Sequence, residues 1–306
     1  MGRRSREGFF DKKFHTKNSS KYALPNSISN LKKLTTLLLC DCMALENVPS
    51  LSKLRALKKL NLIATSRAEE MKTVNKLEVL EVCFNDMHDL SMYASQRKRP
   101  NDYNILVGLN LMEIGFDSVE ISKSVTINCF NVKIKNSIIL PSDIQGLRLR
   151  GCECNGSSFS DIIGSEGVTD LKKCTVDSCN GLESIFSSRC ASLQTIEILL
   201  LEYLWNLKLI VGESMPPEPG TFSNLQSIYI IGCAKLKNLF SAKWVHSICV
   251  QDFNVWSISG SLCAVSDASE ILSPQEFQAQ QMSLDGHFGS FVFPNQACSS
   301  SDIGDA

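Results

Sequence analysis

The chain has 306 residues, 43% of them hydrophobic and 21% charged, with a formal net charge of −1 at pH 7. This composition is typical of a cored protein of one or two domains, and its neutral balance gives no reason to expect a nucleic acid or a membrane as partner. No apolar stretch is long enough to cross a bilayer, and the basic start lacks the apolar core of a secretory signal, so we predict a cytoplasmic protein.

Residues 1–23 are polar and basic, and we predict a disordered N-terminal segment there. A domain of about 8 to 10 repeats is predicted over residues 24–254, because the pattern L-x-x-L-x-L-x-x-N/C recurs. The units comprise Leu34, Leu37, Leu39 and Cys42; Leu57, Leu60, Leu62 and Thr65; Leu77, Leu80, Val82 and Asn85; Leu106, Leu109, Leu111 and Ile114; Ile144, Leu147, Leu149 and Cys152; Leu171, Cys174, Val176 and Cys179; Leu193, Ile196, Ile198 and Leu201; and Leu225, Ile228, Ile230 and Cys233. A weaker unit at Val125 and Ile127 would halve the 38-residue interval between Leu109 and Leu147.

Each unit of this pattern supplies one short strand whose alternate residues need a neighbouring unit to bury them. The predicted fold is therefore α/β, a leucine-rich-repeat solenoid with a curved parallel β-sheet and an irregular convex side. Variable spacing between units places exposed loops at Arg97–Asp102 and at Gly212–Thr221. The cluster Arg97, Lys98 and Arg99 is expected to be a solvated part of the first loop, with a nuclear localisation patch as the alternative.

The thirteen cysteines are an odd number, and several of them occupy the turn position of the pattern. We therefore predict small buried thiols in a reducing compartment rather than a disulfide framework. Cys40 with Cys42, and Cys152 with Cys154, form C-x-C pairs, but the repeat geometry already accounts for Cys42 and Cys152, and no metal site is predicted.

No hydrolase, protease or phosphate-loop motif occurs, and the four histidines are scattered singly. We predict that the chain is not an enzyme and holds no cofactor. The triplet Met87-His88-Asp89 follows the third repeat, where we expect His88 to be a surface loop residue.

The run LPNSISNLKKLTTLLLCDCMALENVPSLSKLRALKKLNL (Leu24 to Leu62) and the run TFSNLQSIYIIGCAKLKNLF (Thr221 to Phe240) carry a family resemblance. They resemble the repeats of plant coiled-coil nucleotide-binding leucine-rich-repeat disease resistance proteins, and the resemblance covers about residues 24–250. In that family a triplet like Met87-His88-Asp89 contacts ADP, but there it precedes the first repeat. No Gly-Lys pair occurs in the chain, so the resemblance extends to the repeat region and not to nucleotide binding.

The resemblance implies an interaction module that recognises a pathogen effector or a guarded host protein, or that holds the nucleotide-binding domain of a full-length relative inactive. The alternative is a repeat-type substrate adaptor of a ubiquitin ligase, which an F-box segment before the first repeat would support.

Binding by a solenoid is expected on its concave strand face, where residues alternate with the buried leucines. The predicted partner-binding residues are Lys59, Asn61, Glu81, Asn110, Arg148, Arg150, Lys173, Asp177, Glu197 and Tyr229. The same face carries a predicted apolar stripe, which could either bind a partner or pack under rim loops. Its members are Cys40, Ile63, Cys83, Met112, Leu199 and Ile231. Residues 255–306 break the repeat period and are predicted to be a mostly disordered serine-rich tail, with one short helix near Pro274 to Met282.

Overall fold

The computed structural model describes residues 13–15, 24–39, 48–66, 74, 76–96, 98–108, 122–130, 138–153, 158–163, 168–186, 194–211, 222–236, 238–240, 252–256, 263–265 and 290–291. Their strands are β1 (Lys13–His15), β2 (Thr36–Leu38), β3 (Lys59–Ser66), β4 (Val79–Phe84), β5 (Asp102–Val107), β6 (Ser124–Asn128), β7 (Gly146–Arg150), β8 (Lys173–Asp177), β9 (Ser184–Phe186), β10 (Ile198–Glu202), β11 (Leu209–Val211), β12 (Ser227–Ile231), β13 (Asn238–Phe240), β14 (Asp252–Trp256), β15 (Cys263–Val265) and β16 (Ser290–Phe291). The helices are α1 (Met87–Ala94), α2 (Phe159–Ile163) and a 3-10 helix at Asn26–Asn30.

One sheet of twelve strands organises the molecule, in the order β1-β2-β3-β4-β5-β6-β7-β8-β10-β12-β14-β16. Every pairing from β1 to β14 is parallel, and β16 closes the order antiparallel to β14. Two short parallel pairs, β9 with β11 and β13 with β15, lie outside this sheet. Sequential parallel strands that each pair with the next unit define a solenoid, which confirms the predicted leucine-rich-repeat fold.

Two columns of inward side chains run along the sheet and form its core. Every member of both columns is at most 2% exposed. The first column contains Val82, Ile105, Val125, Leu147, Cys174, Leu199 and Ile228, and the second contains Phe84, Val107, Ile127, Leu149, Val176, Leu201 and Ile230. Burying one such side chain stabilises the fold by roughly 1.5–3 kcal/mol before entropy is counted. The weaker unit at Val125 and Ile127 is thus a full strand of the sheet, β6.

The fourth unit has a different register from the predicted one. Its strand β5 points Tyr103, Ile105 and Val107 into the core, six residues before the predicted central leucine, Leu109. Leu106 belongs to the opposite face of this strand. The prediction failed because the aliphatic run after Ile105 also fits the template, but in a register that differs from the pairing observed in the sheet.

The unit around β10 is shifted by three residues. Leu199, and not Ile196, lies opposite Cys174 and Ile228 in the ladder. Both frames fit the leucine pattern, and Ile196 is buried as well, at the first position of the unit. Because Leu199 points inward, residues of this strand predicted to be concave move to Ile198, Leu200 and Glu202.

The ladder is staggered between the two halves of the sheet. Leu37, Leu60, Leu80 and Tyr103 are aligned, but the second inward residue of β5, Ile105, aligns with the first inward residue of β6, Val125. The concave row that contains Lys13, Thr36, Lys59, Val79 and Asp102 therefore ends at β5. The next row connects Asn61 and Glu81 to Asn104, Ser124, Gly146, Lys173, Ile198 and Ser227.

A left-handed residue follows the strand in four successive units: Gly151, Ser178, Tyr203 and Gly232, with φ of 68°, 55°, 54° and 66°. This conformation turns the chain out of the sheet, and it is free of cost only for glycine. At Gly151 and Gly232 an added Cβ would lie 2.5 Å from the Phe130 ring and 2.8 Å from the Tyr203 ring, respectively. Each aromatic ring thus covers the glycine of the following unit.

Three of the short strands fall within segments predicted to be disordered, namely β1, β15 and β16. The domain limits 1–23, 24–254 and 255–306 otherwise remain predictions. The loop at Gly212–Thr221 and the helix near Pro274 to Met282 lie outside the described residues. Among the residues that the structure describes, no helix has the length and apolar character that crossing a membrane requires.

Candidate functional site

Most of the predicted binding residues lie on the face of the sheet opposite the core columns, which we call the concave face. They are Lys59, Asn61, Glu81, Arg148, Arg150, Lys173, Asp177 and Tyr229. Two others do not belong to this set. Asn110 lies outside the described residues, and Asn104 takes the concave position of its unit. Glu197 comes one residue before β10 and forms an ion pair of 3.1 Å with Lys172, which comes one residue before β8.

The N-terminal half of the concave face is polar. Lys59 is exposed, whereas Asn61 is only 4% exposed and donates a hydrogen bond to the Glu81 carboxylate. On the next strands Ser124 donates a hydrogen bond of 3.1 Å to the Asn104 side chain. These cross-strand contacts hold neighbouring units in register and leave a surface of charges and amides.

A buried carboxylate lies at the centre of the concave face. The Asp177 side chain is 6% exposed, and its Oδ2 lies 3.3 Å from Arg148 Nη2 and 3.1 Å from Arg150 Nε. Arg148 also reaches Glu202 at 3.4 Å, and Ser178 donates a 2.7 Å hydrogen bond to Asp177 Oδ1. The contact of Arg150 Nε is an ion pair whose N–H is not aligned as a hydrogen bond. We call Arg148 and Arg150 the arginine pair.

The C-terminal half of the concave face is apolar. Ile198, Leu200, Tyr229 and Ile231 are half-buried on the adjacent strands β10 and β12. Tyr203, which is 43% exposed, directly follows β10, and its ring lies against Gly232, which directly follows β12. We call these five residues the apolar patch. A contiguous apolar surface bordered by charged residues is typical of protein-interaction sites.

The apolar patch replaces the predicted apolar stripe. Leu199 belongs to the core at 0% exposure and Cys83 is 7% exposed, so Ile231 alone of the described stripe side chains belongs to the patch. The side chains of Cys40, Ile63 and Met112 lie outside those that the structure describes. Sequence reasoning missed Ile198, Leu200 and Glu202 because it placed β10 in the wrong frame, although the template itself fits both frames.

A second polar cluster, centred on Asp143, lies outside the concave face. Its carboxylate accepts 3.0 Å and 3.1 Å contacts from Arg99 and Lys123 and a 3.1 Å hydrogen bond from the Tyr103 hydroxyl. Arg99 also donates to the carbonyls of Ala94 and Gln96 at the end of α1. Arg99 is therefore a structural residue that joins α1 to later units, whereas Lys98 is exposed as predicted for the loop.

The Asp143 cluster should make stability depend on pH. Burial alone would raise the pKa of Asp143, but the hydrogen bond from Lys123, the charges of Arg99 and Lys123 and the hydrogen bond from Tyr103 together hold that pKa below its usual value. A carboxyl whose pKa is lower in the folded state stabilises the fold above its unfolded pKa, and this contribution is lost as pH falls through the folded pKa.

We therefore expect Asp143→Asn to lower the free energy of unfolding at pH 7 by about 1 kcal/mol, since the site is partly open to water. The difference between the variant and the wild type should shrink as the pH is lowered below 4. Urea unfolding at pH 7, 5 and 3 measures it, with the exposed Asp170→Asn as matched control. A difference that stays constant over this range would contradict the role of the charge.

The turn-slot cysteines are buried as predicted for thiols that serve packing. Burial raises the pKa of Cys179 to about 12 and that of Cys233 to about 11. Cys179 accepts a hydrogen bond of 3.2 Å from the Cys152 backbone N–H, so it fixes the turn after the strand. Cys152 itself is disulfide-bonded, which corrects the expectation that this cysteine is a free thiol.

The remaining sequence motifs offer no chemistry within the described residues. No group of three His, Cys, Asp or Glu side chains is close enough there to hold a metal ion. His88 is exposed as predicted, but it lies in α1 rather than in a loop. The helix begins at Met87 because the Asp86 side chain caps it by accepting a 3.0 Å hydrogen bond from the Asp89 backbone N–H.

A parallel solenoid with this strand pattern and an exposed strand face defines a leucine-rich-repeat protein. Residues 125–250 match the family of plant disease resistance protein RPS2-like leucine-rich repeats, which is somewhat less than half of the chain. A stretch of 32 residues is 78% identical to Auxin response factor 5 of Oryza sativa subsp. japonica. That stretch covers 10% of this chain and 3% of that protein, so the chain spans only a small fraction of this curated relative.

Proposed function

We propose that this chain is a protein-interaction module of plant disease resistance, which binds a pathogen effector or a guarded host protein through its concave face. The observation that carries the proposal is that the family match and the candidate site fall in the same part of the chain. The family match over residues 125–250 includes both the arginine pair and the apolar patch. In a full-length relative the same repeats would also hold a nucleotide-binding domain inactive. The ubiquitin-ligase adaptor remains an alternative.

The proposal includes a cytoplasmic location and a role without catalysis. Five cysteines of the described residues are free thiols, which supports a reducing compartment, whereas the disulfide of Cys152 counts against it. The chemistry of the concave face supports binding rather than turnover, because its charged side chains form ion pairs with one another and its apolar side chains border them.

The test compares captured proteins in leaf cells that express the tagged chain. We expect Arg148→Glu combined with Tyr229→Ala to remove at least one partner that wild type captures, because both side chains belong to the concave face. The control variant is Arg55→Glu, at an exposed arginine away from this face. Circular dichroism must show that all three proteins are folded. Capture retained by the double variant would refute binding through this face.

A further inference from the structure

A buried carboxylate holds the arginine pair in place. The Asp177 carboxylate is 6% exposed and contacts both guanidinium groups, which are themselves 25% and 32% exposed. A buried acid in contact with two half-buried cations fixes their orientation, and less side-chain entropy is then lost when a partner binds them. What this part of the face presents outward is positive charge.

The balance of charge around the pair is also positive. Arg148, Arg150 and Lys173 lie on the adjacent strands β7 and β8, against the two carboxylates of Asp177 and Glu202. Asp177 and Lys173 are both buried, so the accessible charges are those of Arg148, Arg150 and Glu202. A partner that approaches the face therefore meets more cationic than anionic surface, and an acidic side chain complements it.

The apolar patch lies at a defined distance from the arginine pair. Arg148, Thr175, Leu200 and Tyr229 occupy one row across the strands β7, β8, β10 and β12. Neighbouring strands are about 4.8 Å apart, so Leu200 lies about 10 Å from Arg148 along this row. An extended chain covers this distance in about three residues. Thr175, which separates the two, is 2% exposed and leaves the path between them flat.

We infer, on the basis of the proposed binding function, that the C-terminal half of the concave face binds an extended partner segment with an acidic side chain about three residues from an aliphatic or aromatic one. The acid pairs with the arginine pair, and the apolar side chain packs on Leu200 and its neighbours in the patch. The segment crosses the strands rather than adding to an edge of the sheet.

A random dodecapeptide library on phage, selected against the immobilised full chain, tests this inference. We expect enriched peptides to carry Asp or Glu two to four positions from Leu, Ile, Phe, Tyr or Trp. A synthetic peptide from this set should bind Leu200→Ser about tenfold more weakly than wild type in fluorescence anisotropy. It should also bind the double variant Arg148→Gln, Arg150→Gln about tenfold more weakly.

A second peptide, with its acid changed to Gln, isolates the charge contact. It should lose affinity for wild type but not for the Arg148→Gln, Arg150→Gln variant, because the contact is already absent there. Thermal unfolding confirms that each variant is folded, and Arg55→Glu is the control for general charge effects.

The failures are distinguishable. Peptides enriched without an acid, or bound equally by the arginine variant, overturn the inference. If no peptide binds, while the leaf-cell capture still depends on Arg148 and Tyr229, the inference fails and the proposed function stands. If neither assay shows binding through this face, both fall.

Discussion

Leu201→Asp is expected to unfold the units around β10 and to lower the free energy of unfolding by about 4 kcal/mol or more. Leu201 is 0% exposed and belongs to the second core column, so the variant both removes its packing and buries an unpaired carboxylate. Native domains are stable by only about 5–15 kcal/mol, so this is a large fraction of the total. Urea unfolding followed by circular dichroism measures the change, and a multistep transition is expected because units of a solenoid open separately.

The neighbouring residue provides the matched control. Leu200 is the same residue type on the same strand, but it is half-buried on the concave face. Leu200→Asp should cost less than about 1 kcal/mol, because its charge remains in contact with water. If both variants were equally destabilised, the assignment of the two faces of β10 would be wrong.

Asp177→Asn is expected to lower the free energy of unfolding by about 2 kcal/mol. The substitution keeps the shape of the side chain but leaves the arginine pair without the buried carboxylate that neutralises it. The cost is smaller than for a fully buried ion pair, because Arg148 and Arg150 are 25% and 32% exposed and can turn towards water. Unfolding of the variant and wild type at 0.05 M and 0.5 M NaCl measures the loss and its screening.

Glu202→Gln serves as the comparison for Asp177→Asn. Glu202 contacts Arg148 at 3.4 Å and its side chain is 21% exposed, so we expect a loss of about 0.5 kcal/mol. An Asp177→Asn protein that is as stable as wild type would show that the carboxylate does not organise the pair.

The repeat pattern predicts the fold because every unit buries the same alternate positions, and Leu60, Leu147 and Ile228 all lie where the template places them. It fails where an aliphatic run fits two frames. Ile196 and Leu199 are equally good central positions in sequence, and only pairing with Cys174 and Ile228 decides between them. This choice is a tertiary effect that no local pattern contains.

The residues of the candidate site, like the register of the strands, could be predicted from the sequence only in part. Alternation placed Arg148, Arg150 and Tyr229 on the concave face, and the structure has them there. It could not predict that Asp177 would be buried beneath the arginines, because the interaction joins residues 29 positions apart in the chain. Nor could it predict the role of Arg99, whose partner Asp143 is 44 positions away.

Because of the stagger at β5, Arg148 and Glu81 lie in different rows of the concave face. Glu81 lies two residues before the position at which a straight path from Arg148 crosses β4, and Lys59 belongs to the row before that of Glu81. That path ends instead on Leu106 and Cys83, which are both 7% exposed. Two residues correspond to a step of about 7 Å. A partner segment that contacts both Arg148 and Glu81 would therefore cross the strands obliquely, shifting by one row of the concave face between β7 and β4.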